Sequence, residues 1–549
     1  MASSKDLKPL ERLYGKRLVS VLPAGQPPWY RTPHLLKLNG LLFLLILSAT
    51  GMGFDGSMMN GLQSLSTWAD YFDNPSSYRL GIVNAVLNVG PIIFGGITAT
   101  IADRWGRRRT AQLGCLTIIL SSVLQAASQN LATFAASRFL IGVGIVFCMV
   151  PSPVLVTELA YPTHRSKLTS LYFTFYFFGA IMSSWITFGT YRMSKSTWTW
   201  RIPSLLQAII PSIQFLGIFW VPESPRWLIS KGRREEAQAI LVKYHAGGDS
   251  NSPLVDFEME DIQRHLLQEA DHASTSWTKI LSGPGDKKRL AIVLYISICS
   301  QLCGNGIISY YLPLILDTVG IEDSDRQTLI NGILQIYNWF VAIGGSLLVD
   351  RVGRRRLWLF AVGGMLMSFI IWTTCSALYA ERGSNNEGLA IGVLVLIFVF
   401  QFHYSVGVTP LCLSYPVEIL PFHSRQKVMG LNYIGNSLGN LFNSLVSPIA
   451  LDNIGWRYYL VYVVILLQFF VVVYLFFPET KGYTLEQVSD LFESGKFFTG
   501  HIRLERSDGD TEDDKDKHQG LQVAEAVKSD EKIGNAKDIP EAEMIEYVR

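Results

Sequence analysis

Apolar runs of about twenty residues recur along this chain, divided by short polar and charged segments. They predict twelve spans, near 36–58, 80–102, 110–128, 132–156, 168–191, 202–221, 290–315, 328–349, 356–379, 388–413, 427–450 and 457–477. A helix of that length crosses roughly 30 Å of hydrocarbon. The pattern predicts an all-α polytopic membrane protein, whose core is the interior of a helix bundle.

Composition agrees. The chain has 549 residues, of which 49% are hydrophobic and 17% charged. A soluble chain of this size carries more charge. The net charge of +2 is uninformative, because charge is segregated. Basic clusters fall in alternate loops: DRWGRRR (103–109), HRSK (164–167), RWLISKGRR (226–234), DRVGRRR (350–356) and HSRQK (423–427). The other loops are poor in Lys and Arg, apart from YRMSKSTWTWR (191–201). The positive-inside rule then places both termini and the long 222–289 loop in the cytoplasm. Residues 1–35 are polar and basic with no cleavable signal, and the first apolar run is long enough to span. The end of the chain, 501–549, holds 14 Asp and Glu against 8 Lys and Arg and reads as a disordered acidic tail. All six cysteines fall within spans, so no structural disulfide is expected.

The chain repeats itself. ADRWGRRR (102–109) returns as VDRVGRRR (349–356), TELAYPTHRSK (157–167) as VEILPFHSRQK (417–427), and VPESPRWL (221–228) as FPETKGYTL (477–485). The offsets are 247, 260 and 256 residues, nearly constant. The chain therefore divides into an N-terminal segment (1–35), a six-helix half (36–221), a cytoplasmic linker (222–289), a second six-helix half (290–477) and a C-terminal segment (478–549). Within the linker, REEAQAILVKYHA (234–246) predicts an amphipathic helix. Parallel duplication of six-helix halves is a carrier plan, with substrate held between the halves near the midplane.

The repeated motifs keep acids beside their arginines. Asp103 and Arg107, Asp350 and Arg354, Glu158 and Arg165, Glu418 and Arg425, Glu223 and Arg226, and Glu479 suggest one charge network per half. Asp103 and Asp350 are placed to pair with arginines or with helix N-termini. A network of this kind locks one face in one state and opens it in the other. Plain positive-inside anchoring is the alternative reading.

One charge lies deep in an apolar run. Asp55 sits in SATGMGFDGSMMNG (48–61), and Arg138 stands alone in the middle of the fourth span. At 1.5 Å per residue both fall in the outer part of the membrane. Each is costly alone, so the two are expected to pair.

The spans also carry amides: Gln301, Asn305, Asn338, Asn432, Asn436, Asn440 and Asn443. Asn436, Asn440 and Asn443 recur along one helix face. Such a stripe faces a cavity or other helices, not lipid. Amides donate and accept without charge, and aromatic rings stack on flat C–H faces, which suits a sugar. No phosphate-binding glycine loop, metal-ligand cluster or nucleophile–base set is present, so no enzyme activity, cofactor or metal is expected.

Taken together, the doubled DRxGRR, PESPRWL (222–228), PETKG (478–482) and RFLIGVG (138–144) resemble the sugar porter family of the major facilitator superfamily. GNGIISYY (304–311), TELAYPTHR and GFDGSMMNGLQ resemble its fungal branch of lactose permeases and cellodextrin transporters. The resemblance implies proton-coupled import of a disaccharide, with Asp55 and Arg138 as the coupling pair. It implies sugar contacts from Gln301, Asn305, Asn338, Asn436, Tyr310 and Tyr311, and His403 is a further candidate contact. Two departures, Phe173 and Leu413, fall where hexose carriers keep a Gln and a Trp, and suggest a reshaped site. Sugar, proton and bilayer are the implied partners, without nucleic acid, for a monomer in the plasma membrane. A facilitative uniporter, a transporter-like sensor and a carrier of another polyhydroxylated metabolite are the competing readings.

Overall fold

The computed structural model describes residues 20–23, 27–193, 196–273, 283–381 and 387–481, together with 488 and 492. The acidic tail expected over 501–549 lies outside the described residues.

All twelve expected spans are helical. They are α1 (Pro33–Gln63), α2 (Ser77–Trp105), α3 (Arg107–Ala126), α4 (Leu131–Leu159), α5 (Arg165–Tyr191) and α6 (Trp198–Trp220) in the first half. The second half holds α7 (Pro284–Asp317), α8 (Ser324–Val352), α9 (Arg354–Glu381), α10 (Glu387–Ile419), α11 (Phe422–Ile454) and α12 (Tyr459–Phe476). Among the described residues, eight helical stretches qualify as membrane-crossing by length and apolar composition alone, with α11 and α12 counted in one. Helices α3, α5 and α8 carry buried polar residues: Ser121, Ser122 and Gln125 in α3, Ser183, Ser184 and Thr187 in α5, and Asn331, Gln335 and Asn338 in α8. Polar residues buried in a span face the bundle rather than lipid.

Several spans are broken rather than straight. Helix α1 is interrupted at Leu47. Helix α7 breaks between Leu302 and Asn305, where Gly304 adopts φ +102. It kinks again at Tyr311 (φ −137, ψ 27), ahead of Pro313. Helix α10 carries a π-helical turn, Tyr404–Val408. Within a bilayer such breaks persist only where other groups satisfy the freed backbone.

Helices α1 and α5 cross closely. A Cβ on Gly53 would lie 1.8 Å from the Tyr176 carbonyl oxygen, and one on Gly179 would lie 2.0 Å from that of Thr50. Small residues on both helices permit the contact.

The linker begins with three helices, Pro225–Ser230, Arg234–Tyr244 and Pro253–Ala273. They share a small core of Trp227, Leu228, Ala237, Leu241, Val255 and Met259. His245 fastens them to the bundle: its Nδ1 lies 2.7 Å from Glu258 Oε2 and its Nε2 lies 3.0 Å from the Leu159 carbonyl at the end of α4.

Replacing Gly179 by valine should remove folded protein from the membrane fraction, because backbone cannot yield to the added atoms. Surface level and detergent gel filtration check this; a wild-type monodisperse peak would contradict it.

Candidate transport site

Asp55 and Arg138 meet. Arg138 Nη2 lies 3.3 Å from Asp55 Oδ2, and Nη1 donates to Oδ1 at 3.4 Å. Both side chains are 0% exposed. The guanidinium also donates from Nε to the Val83 carbonyl of α2 at 2.9 Å. A third helix joins in. Gln207, where α6 changes course, donates its amide to Asp55 Oδ1 at 3.3 Å. The carboxylate is thus held from α4 and α6 at once. Removing one partner from a buried pair of this type costs about 3–5 kcal/mol.

One and a half to two turns further along α1, Asn60 and Gln63 hold the broken helix. The Asn60 amide donates to the carbonyls of Ile308 and Ser309 at 3.1 and 2.7 Å and accepts from Leu312 N at 3.1 Å. Gln63 donates to the Tyr310 carbonyl at 2.8 Å. The α7 kink is therefore satisfied by α1, across the boundary between halves. The same side of the molecule carries Ser77 bonded to Asp452 (2.9 Å) and Asn331 bonded to Ser57 (3.3 Å) and Ser184 (3.1 Å). The halves are latched together on the face opposite the basic loops.

The expected sugar residues divide. Gln301 and Ser300 both donate to Asn436 Oδ1, at 3.0 and 3.1 Å, and Asn436 donates to the Asn432 carbonyl at 3.3 Å. Asn432 accepts from the Ser297 hydroxyl. Gln301 and Asn436 remain half-buried, so this polar group keeps an open side. Tyr310 accepts from Asn440 at 3.2 Å. The others turn elsewhere. Tyr311 is fully buried and donates to the Ser444 carbonyl at 2.5 Å. Asn305 accepts from Ser309, one turn along its own helix, at 3.4 Å. Asn338 is buried on α8, with its Oδ1 unpartnered by any described residue. His403 bonds the Val399 carbonyl at 2.8 Å and packs on Phe360 of α9, ring centroids 5.1 Å apart. No described hydrogen bond or ring contact joins it to the Gln301–Asn436 group, so its geometry is that of a packing residue. Asn443 likewise braces the α7 break, donating to the Gln301 carbonyl at 3.3 Å.

The basic face repeats one device twice. Gly106 and Gly353 adopt φ +97 and +102, so the chain can turn from α2 into α3 and from α8 into α9. Glu223 Oε1 then accepts from the backbone N–H groups of Arg107 (3.1 Å), Arg108 (3.2 Å) and Ser224 (3.0 Å). Glu479 Oε1 accepts from those of Arg354 (2.8 Å) and Lys481 (3.1 Å). Each acid caps a helix start, where unpaired N–H groups and the helix dipole favour negative charge. Arg107 pairs with Asp103 (3.1 Å) and Glu158 (3.5 Å), while Arg354 pairs with Glu418 (3.0 Å). Burial pushes the Glu223 carboxyl above its ordinary range, and the N–H bonds and Arg107 pull it back.

Of the two readings open for Asp103, the structure shows the arginine partner, Arg107, while Glu223 and Glu479 take the helix starts. Within the charge group of each half, Glu158 pairs with Arg107 and Glu418 with Arg354. Arg165 is exposed at the start of α5, and Arg425 donates to the Leu420 carbonyl at 3.1 Å. Arg226 lies close enough to Glu158 to favour its charge. The side chain of Asp350 lies outside the described residues. These ion pairs each stay within one half.

Sequence reasoning passed over Asn60, Gln63 and Gln207. The signal was present in the sequence: all three are amides within apolar helices, the first two a turn or two beyond Asp55.

Twelve helices in two matching halves, latched on one face and carrying doubled acid-capped turns on the other, define a carrier of the major facilitator type. Residues 41–492 match the family described as sugar (and other) transporter, and the chain belongs to that family. The glucose transporter mfs1 of Aspergillus flavus is 28% identical over 495 residues, covering 84% of this chain and 91% of that protein. The high-affinity glucose transporter of Kluyveromyces lactis is 25% identical over 479 residues, covering 84% and 86%. Among solved structures, the inward-open xylose transporter XylE from E. coli matches with TM-score 0.68 at 23% identity, over 83% of this chain and 99% of that one. The protein is a multi-pass membrane transporter of that family, not an enzyme.

Glu223→Ala or Glu479→Ala should each lower thermal stability by about 1–3 kcal/mol, since each strands helix N–H groups. Melting in detergent checks this; an unchanged midpoint for both would contradict the capping role.

Proposed function

We propose that this transporter imports sugar together with a proton by alternating access, and that Asp55 is the proton site. The observation that carries the reading is a completely buried Asp55–Arg138 pair on the same helix as the Asn60 latch. Five residues separate Asp55 from Asn60, a rise of about 7.5 Å. A proton on Asp55 neutralises the carboxylate and frees α1 from Arg138. Movement of α1 then works directly on the amides that hold α7. Helix α7 also carries Gln301, so one broken helix joins the proton site to the candidate sugar group.

The two moving bodies are residues 36–221 and 290–477. With the non-basic face latched, and the basic face taken as cytoplasmic, this arrangement is inward-facing. On opening the other way, the Arg107–Glu158 and Arg354–Glu418 pairs become part of the cytoplasmic gate. Both termini are then cytoplasmic, and the plasma membrane is the location that suits uptake. One proton crossing 100 mV supplies about 2.3 kcal/mol, roughly a 50-fold sugar gradient.

Gln301, Ser300 and Asn436 form the centre of the sugar site, with Asn305 and Tyr310 at its edge. For substrate we favour a β-linked disaccharide of the lactose or cellobiose class, because the resemblance places Leu413 where hexose carriers keep a Trp, which fits a reshaped, roomier site. A hexose is the second reading, favoured by relatives that are glucose transporters.

The test uses a yeast lacking endogenous sugar uptake, supplied with labelled lactose, cellobiose or glucose, with and without a protonophore. Accumulation that collapses with the protonophore is expected; uptake of none of the three sinks the sugar reading. Asp55→Asn should abolish accumulation while leaving sugar exchange, and normal accumulation in that variant would refute the proton role. Asn436→Ala should raise KM about tenfold with membrane level unchanged, the loss of one or two hydrogen bonds. An unaltered KM would remove Asn436 from the site.

A further inference from the structure

Asp55 has a partner that charge alone does not require. Gln207 is 2% exposed and donates from Nε2 to Asp55 Oδ1 at 3.3 Å, while its own Oε1 is buried with no hydrogen-bond partner among the described residues. An amide carrying one satisfied end and one orphaned end in a membrane interior is costly.

We propose that Gln207 is the neutral ligand that holds Asp55 in both of its protonation states, and so positions the proton site while Arg138 comes and goes. The inference rests on the reading of Asp55 as the proton site. A side-chain amide presents two N–H donors on one side and a carbonyl acceptor on the other. With Asp55 ionised, the amide donates to Oδ1. When Oδ1 takes a proton from water, a half-turn of the amide brings the carbonyl to the same place, where it accepts the new O–H. Gln207 makes no other change, and it partners the carboxyl in both states whether or not Arg138 is present.

The charged and titratable groups facing this point are few. Asp55 comes from α1, Arg138 from α4 and the uncharged Gln207 from α6. The Tyr176 phenol of α5 and the Tyr310 phenol of α7 lie close enough to feel the Asp55 charge. Helix α2 contributes the Val83 carbonyl, which binds Arg138. Among the described residues the site thus holds one acid, one permanent cation, one amide and two phenols.

A hydrogen bond to a carboxylate is stronger than one to the neutral acid. Losing Gln207 therefore penalises the ionised form more, and the site should hold its proton to higher pH. The experiment is an infrared titration of the full-length protein in liposomes without sugar. The protonated-carboxyl band of Asp55 is identified by its absence in Asp55→Asn. In Gln207→Met, which keeps the side-chain volume, the midpoint of that band should move up by about one pH unit. Gln207→Asn, whose amide is one methylene short, should move it the same way. It decides alone if the methionine variant fails to reach the membrane. Unshifted midpoints would overturn the role of Gln207 while leaving Asp55 as the proton site. A titration with no band dependent on Asp55 would instead refute the proton reading itself.

Discussion

A charged pair in the interior of a membrane protein must be closed on every side, and much of the first half is arranged to close one. Asp55 and Arg138 are fully buried, with partners drawn from α1, α2, α4 and α6. Close crossing of α1 and α5, enforced by Gly53 and Gly179, shuts a further side. Coulomb attraction alone does not repay the desolvation of both ions, so the surrounding hydrogen bonds decide whether the pair persists. They come from groups that cannot be charged, a carbonyl and an amide. The pair is thereby held by neutral groups that add no further charge to the interior.

The second half is organised around a different cost. Helix α7 breaks at Gly304 and kinks at Tyr311, and the backbone groups it frees are taken up by side-chain amides. Asn443 of α11 serves the first break from within the half. Asn60 and Gln63 of α1 serve the second from across the boundary. The two supports differ in origin: one comes from the same half as α7, and the other reaches it from the opposite half.

Much of this was legible in the sequence. The twelve spans follow from apolar length, and the duplicated halves from three motifs at one offset. The Asp55–Arg138 pair follows from two isolated charges at matching depth. What the sequence hid was partner choice among many similar polar groups. The amide stripe of α11 reads as one face. Yet Asn436 joins Gln301 and Ser300, Asn440 joins Tyr310, and Asn443 braces backbone. His403 looks like a polar intruder in an apolar helix, but its Nδ1 is satisfied by its own helix and its ring by Phe360. Asp103 lies nearest its tight turn in sequence and takes Arg107, while glutamates more than a hundred residues away take both helix starts.

That last arrangement bears on how the protein is made. The turn between α2 and α3 is capped by Glu223, which lies beyond α6, and the turn between α8 and α9 by Glu479, which lies beyond α12. Neither cap is present when its turn first enters the membrane. Each half is completed by the residue that follows its last helix, when a carboxylate arrives to occupy a socket left by two earlier helices. A Cβ on Gly106 or Gly353 would fill the socket, lying 2.3 or 2.7 Å from the glutamate oxygen. The doubled motif therefore marks the point in synthesis at which each six-helix unit closes on itself, separately from its role in the finished carrier.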